Sequence, residues 1–161
     1  MAMIDGSFIA DRLSSAGFSH VVWIPDSTLG QWESALINST QLTLVRACRE
    51  GEVVGICAGL MLGGAKPIAI MQCTGMFEAG DAIRNVVHDL GLPLKLVVGV
   101  RSHRAYVAGK SKDNCPRFTE PILNAWAIPY TLISDANADA FGNAMQELAE
   151  SAKAMAVLLA E

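Results

Sequence analysis

Charge is scarce in this chain: charged residues make up 17% against 52% hydrophobic ones, and the net charge is only −4 over 161 residues. A negative balance with few basic residues argues against a nucleic-acid partner. The apolar excess suits a sheet covered on both faces, or a chain that buries further surface against a partner. Cysteine is sparse too. Cys48, Cys57, Cys73 and Cys115 lack metal-like spacing, and three of them lie in apolar runs, so a reduced, cytoplasmic setting and no metal centre are expected. Met1 to Gly6 contains Asp5 and has neither a basic start nor an apolar core, so no secretory leader is expected. No apolar run reaches membrane-spanning length without a charge or a glycine cluster. Three motifs are missing as well: a GxGxxG opening the first helix, a phosphate-binding P-loop and a G-x-S-x-G elbow. Dinucleotide-binding, nucleotide-hydrolysing and serine-hydrolase readings are therefore poor.

What the chain does have is an alternation of two periods. Ser7 to Ala16 reads as a helix stopped by Gly17, and His20 to Ile24 as a short strand ended by Pro25-Asp26-Ser27. A helix over Thr28 to Ile37 and a strand over Leu42 to Val45 follow, then a glycine-ridged helix and the strand Pro67 to Gln72. A helix is predicted from about Glu78 to Asp89, a buried strand over Leu94 to Val100, and a polar stretch from Arg101 to Arg117. A helix near Glu120 to Trp126, a strand over Tyr130 to Ile133, a helix capped by Ser134 or Asp135 and a strand over Met155 to Leu159 complete the chain. Strands alternating with helices predict one α/β domain over residues 1–161, with a mostly parallel sheet.

The glycine-ridged helix carries the most information. Glu50, Val53, Val54, Cys57, Ala58 and Met61 share one helical face, apolar except for Glu50. Gly51, Gly55, Gly59 and Gly63 recur every four residues beside it. Each interior glycine costs roughly 1 kcal/mol against alanine, so the ridge implies a close approach to this backbone. Glu50 is either a buried acid with a specific partner or a wetted first-turn residue favoured by the helix dipole.

In a parallel sheet ligands bind beyond the carboxyl ends of the strands. Four loops leave those ends with polar or flexible residues: Pro25-Asp26-Ser27, Arg46 to Glu50, Gln72 to Gly75, and Arg101 onward. Asp26 and Ser27 can equally be helix caps. The stretch from Arg101 to Arg117 holds five of the twelve Lys and Arg residues against the single acid Asp113, which makes it a candidate anion site. Among the histidines, His103 in that stretch is the one placed for a site.

Several segments taken together resemble a known family. They are Ile24-Pro25-Asp26-Ser27-Thr28-Leu29, Arg49-Glu50 through Gly59, Gly64-Ala65-Lys66-Pro67 with Met71-Gln72, and Leu92-Pro93-Leu94 with Val98-Gly99 and Arg101. In this order and spacing they resemble the pyrimidine-binding (Pyr) domain of thiamine-diphosphate-dependent enzymes, above all those of the sulfopyruvate and phosphonopyruvate decarboxylases. The resemblance implies a three-layer α/β/α fold. It makes Glu50 the acid that touches N1′ of the cofactor's aminopyrimidine, with Asp26 and Ser27 facing the reacting carbon. Pro25, Gln72, Thr74 and Gly75 would line the pyrimidine, and Arg101 and His103 would meet the substrate.

The GDG motif followed by an Asn, which marks the diphosphate domain of such enzymes, is missing, because Gly80-Asp81 is followed by Ala82. The resemblance therefore implies an α subunit that self-associates through its Pyr domain. A β subunit with the GDG…N domain would hold Mg²⁺ and the diphosphate, and the substrate would be a small anionic 2-oxo acid such as sulfopyruvate or phosphonopyruvate. One departure leaves alternatives open. After Met71-Gln72 the family has a short Asn/Ser/Gly run ending in Gly-Asn, and here Phe77 and Glu78 replace small or neutral residues, which allows a carboligase or acyl-cleaving lyase on the same cofactor; a non-catalytic α/β regulatory module is the reading from another class.

Overall fold

The computed structural model describes residues 5–26, 29–134 and 138–161. Among them the sheet holds β1 (His20–Trp23), β2 (Thr43–Arg46), β3 (Pro67–Gln72), β4 (Lys95–Val100), β5 (Tyr130–Ile133) and β6 (Met155–Ala160). Their order is β2-β1-β3-β4-β6-β5, and every pair is parallel. The strands alternate between two cores, as the pleat requires. Ile68, Ile70 and Val97 enter one core with α1 (Gly6–Ser15), the 3₁₀ turn Leu29–Trp32, α2 (Glu33–Asn38) and α8 (Ala138–Glu150). Ala69, Met71, Leu96, Val98 and Val100 enter the other with α3 (Glu50–Leu62), α4 (Cys73–Glu78), α5 (Gly80–Arg84) and α7 (Cys115–Ala125). This is the three-layer α/β/α arrangement. No helix among the described residues is long and apolar enough to cross a membrane.

Four stretches depart from the sequence expectation. The helix expected from Thr28 begins as the 3₁₀ turn, with Thr28 itself outside the described residues. Asp26 Oδ1 accepts the Leu29 N–H at 2.7 Å and sets the turn. The stretch Gln72 to Gly75, read as a loop, is a strand end followed without a gap by α4, and the expected Glu78–Asp89 helix is α5 running into a π turn at Asn85–Asp89. The polar stretch Arg101 to Arg117 contains α6 (His103–Val107) and the first turn of α7. There Asp113 Oδ1 accepts the Cys115 N–H at 3.0 Å, and Pro116 follows where a missing N–H costs nothing. Of the two caps expected for α8, Asp135 lies outside the described residues.

The connections place the crevice. From β1 the chain passes into the first core's layer through Leu29 and Trp32, whereas from β2 and β3 it passes into the opposite layer through α3 and α4. Neighbouring strands that release their chain to opposite faces leave a gap at their carboxyl ends, the usual ligand position in such sheets.

Candidate active site

Glu50 opens α3 on this edge. Its helix starts at Arg49, an extended residue that makes no side-chain cap, so the first-turn N–H groups need partners from elsewhere. Two glutamates serve this end. Glu52 reaches back to accept the Cys48 N–H at 3.0 Å, and Glu78, at the end of α4, accepts the Gly51 N–H at 3.0 Å. Glu78 also binds the Arg49 guanidinium at 2.5 and 3.2 Å. That guanidinium, followed by the Gly51 amide, holds the Glu78 carboxyl below the usual range.

Glu50 is half-buried and has no hydrogen-bond partner among the described residues. Its carboxylate lies over the bare Cα of Gly75, where a Cβ would stand 2.5 Å from Oε1 and 2.7 Å from Cδ. Of the two sequence readings, the structure thus gives a partly wetted acid with no hydrogen-bond partner in the described chain, whose charge still acts on the neighbouring Arg49 guanidinium. On the same helix Val53, Val54, Cys57 and Ala58 are buried as expected. The close approach expected along the glycine ridge is not made by this chain beyond Gly51: nothing lies within 4 Å of the place a Cβ would take at Gly55 or Gly59.

The other predicted residues lie on the same sheet edge with different employment. Gln72 ends β3, half-buried, and its Oε1 accepts the Thr74 hydroxyl at 3.2 Å; Thr74 is exposed and Gly75 buried. Pro25 is exposed, Asp26 half-buried as the cap of the 3₁₀ turn, and Ser27 outside the described residues. Arg101 follows β4 and is half exposed, its Nε on Asp113 Oδ2 at 2.8 Å and its Nη2 3.7 Å from Cys115 Sγ. The Cys115 amide, then Arg101, hold Asp113 far below the usual carboxylate range. His103 begins α6 after Ser102, a non-glycine residue in the left-handed region at φ 61°. Two further residues near this edge, Glu78 and Glu161, have neighbours that sequence spacing does not reveal. Glu78 stands out in the sequence as a departure, but its partners Arg49 and Gly51 lie too far back in the chain to be paired with it by spacing. Glu161 lies against Gly99, where its Oε1 occupies the space of a Cβ, an approach only a glycine admits.

A parallel three-layer domain with an unengaged carboxylate at its strand switch defines the class: an α/β domain whose ligand site gathers at the carboxyl edge of the sheet. No protein-family model matches the chain. It is similar to the protein named sulfopyruvate decarboxylase subunit alpha from Methanococcus maripaludis, 27% identical over 117 residues, covering 71% of this chain and 68% of the relative. The protein of the same name from Methanocaldococcus jannaschii is 26% identical over 123 residues, 75% of this chain and 71% of the relative. Phosphonopyruvate decarboxylase from Streptomyces viridochromogenes is 23% identical over 133 residues, 83% of this chain but 34% of that longer protein. These names bear out the resemblance read from the motifs.

Proposed function

We propose that this chain is the α subunit of a two-chain, thiamine-diphosphate-dependent decarboxylase of small anionic 2-oxo acids, of the sulfopyruvate and phosphonopyruvate kind. The observation that carries the reading is Glu50: a first-turn carboxylate on the ligand-binding edge, backed by a glycine, with the helix-capping work done by other acids. The likeness to two subunits named alpha supports a partner chain. The residues present fit the pyrimidine half of the cofactor: a carboxylate with no hydrogen-bond partner in the described chain, a buried glycine beneath it, and the Gln72 amide at the end of β3 on the same sheet edge.

When bound, thiamine diphosphate supplies the electron sink for loss of carbon dioxide from a 2-oxo acid. Glu50 would hold and return the proton at the pyrimidine N1′, and Gln72, Thr74, Gly75 and Pro25 would shape the pocket beside it. Asp26 and Ser27 would, by the resemblance, face the reacting carbon. Arg101, with His103 close by in sequence, would bind the second anionic group, using the N–H groups of its fork that Asp113 leaves free. Mg²⁺ and the diphosphate are assigned to a β subunit with the GDG…N domain.

Phe77 and Glu78, which raised the carboligase alternative, both have structural employment. Phe77 packs against the second core, and Glu78 turns to Arg49 and Gly51.

The test is calorimetry of thiamine diphosphate with Mg²⁺ against the chain alone and against the chain co-purified with its partner, followed by turnover of sulfopyruvate, phosphonopyruvate and pyruvate. Binding and carbon dioxide release are expected from the assembly only. Tight binding by the isolated chain would refute the shared site, and a hydroxyketone product would refute simple decarboxylation.

A further inference from the structure

We infer that Glu78 is the positioning residue of this site: from the end of α4 it clamps the first turn of α3, and so fixes where the Glu50 carboxylate stands. The inference rests on the reading of Glu50 proposed above and adds to it a residue that acts through Glu50 rather than on substrate.

The geometry has two parts on one short helix. Gly75 and Glu78 are three residues apart in α4 and so share the face turned to α3. Gly75 offers a bare Cα beneath the Glu50 carboxylate, while Glu78 takes the Gly51 N–H at 3.0 Å through Oε2 and Arg49 through Oε1. Those groups are the residues immediately before and after Glu50, so one carboxylate grips the chain on both sides of it. The grip also disposes of Glu50's nearest competitors. A glutamate at the first helical position ordinarily has a first-turn N–H or a flanking cation within reach. Here the hydrogen bonds of the Gly51 N–H and of the Arg49 guanidinium go to Glu78, so Glu50 feels the Arg49 charge but accepts no hydrogen bond from either. Glu78 itself, paired and held ionised, is badly suited to donate a proton. A neutral side chain at position 78 could accept from Gly51 but could not balance the Arg49 charge, and the attraction that Arg49 already exerts on the Glu50 carboxylate would then act unopposed.

The experiment compares Glu78→Gln and Glu78→Ala with the wild-type chain by two independent readouts. The first is the Gly51 amide in ¹H–¹⁵N spectra of the labelled full chain, whose proton shift reports the hydrogen bond to Glu78. The second is the division between kcat and KM in the enzyme assembled with its partner. In Glu78→Ala the Gly51 amide is expected to move upfield and exchange faster. The value of kcat per folded site is expected to fall roughly tenfold to a hundredfold, as for a displaced catalytic group, with KM for the oxo acid little changed. Glu78→Gln, which keeps an acceptor but loses the charge, is expected between the two. A kcat equal to wild type with the amide released would reduce Glu78 to a stabilising cap, and an unmoved amide would refute the clamp. If Glu78→Ala does not fold, Glu78→Gln decides by the same measurements, and a wild-type kcat there overturns the proposal. A wild-type assembly that turns over no 2-oxo acid would instead refute the function reading, while the Gly51 amide would still report on the clamp.

Discussion

Around the first turn of α3 the carboxylates take different partners: Glu52 the Cys48 amide, Glu78 the Gly51 amide and Arg49, Glu50 no described donor. Replacing Glu50 by Gln preserves its size but not its ability to carry the proton at N1′. Turnover is expected to fall at least roughly a hundredfold, with cofactor affinity by calorimetry changed far less. The stability of the chain should be unchanged, since that carboxylate makes no hydrogen bond in the described structure and acts only on the charge of an exposed Arg49. Gly75→Ala tests the same placement from beneath. A Cβ there would clash with Cγ, Cδ and Oε1 of Glu50, so that side chain must leave its present rotamer, while alanine is the better helix former by about 1 kcal/mol. The expected outcome is an equal or higher melting temperature together with a large loss of kcat; unaltered kcat would mean that Glu50 works from another position. Arg101→Ala should raise KM for a dianionic oxo acid about tenfold or more, the loss of a charged hydrogen bond of about 1.5–3 kcal/mol, and leave pyruvate nearly unaffected. Equal losses for both acids would assign Arg101 to holding Asp113, and through it the start of α7.

Among the elements, β4 carries an unusual passenger. Lys95, almost fully buried, donates to the carbonyls of Ser151 and Lys153 at 2.6 Å each, tying the strand to the turn after α8. Burial pushes its ammonium down from the usual 10.5 to about 8. Between those values the unfolded chain binds a proton that the folded chain has lost, so this group's contribution to stability rises with pH across that window. In urea unfolding at pH 8 and pH 10, wild type should gain on Lys95→Met as pH rises; a difference independent of pH would mean that Lys95 keeps its proton. The strands were the legible part of the fold: β3 has the predicted bounds and β5 likewise, because β-branched and aliphatic runs between Pro, Gly and polar punctuation have few other uses. The helices α4 and α6 were not legible. Cys73-Thr74-Gly75 has weak helix propensity and becomes helical because its Cys73 and Met76 side chains pack into the second core. The start of α7 depends on Asp113, whose orientation is set in turn by Arg101, a tertiary contact that no local pattern reveals. Glu50 was legible from its place on an apolar face, but Glu78, which secures it, lies 27 residues beyond Gly51.

For the molecule as a whole, the site sits where the direction of winding changes between β1 and its neighbours, so Glu50, Asp26 and Gln72 all arise within the first four strands. The last two strands enter in reverse. β5 pairs only with β6, and β6 lies between β5 and β4. This order has a consequence for synthesis on the ribosome. By the time Val100 has emerged, the four strands β2-β1-β3-β4 are all present, but the outer edge of β4 waits for Met155–Ala160. That edge is the run Leu96-Val97-Val98-Gly99-Val100, buried throughout in the finished fold. At on the order of ten residues per second, a nascent chain carries it unpaired for several seconds, a sticky apolar template in a crowded cell. The demand for protection during translation is therefore concentrated on one strand, and it ends when the final six-residue strand slides into the slot left for it.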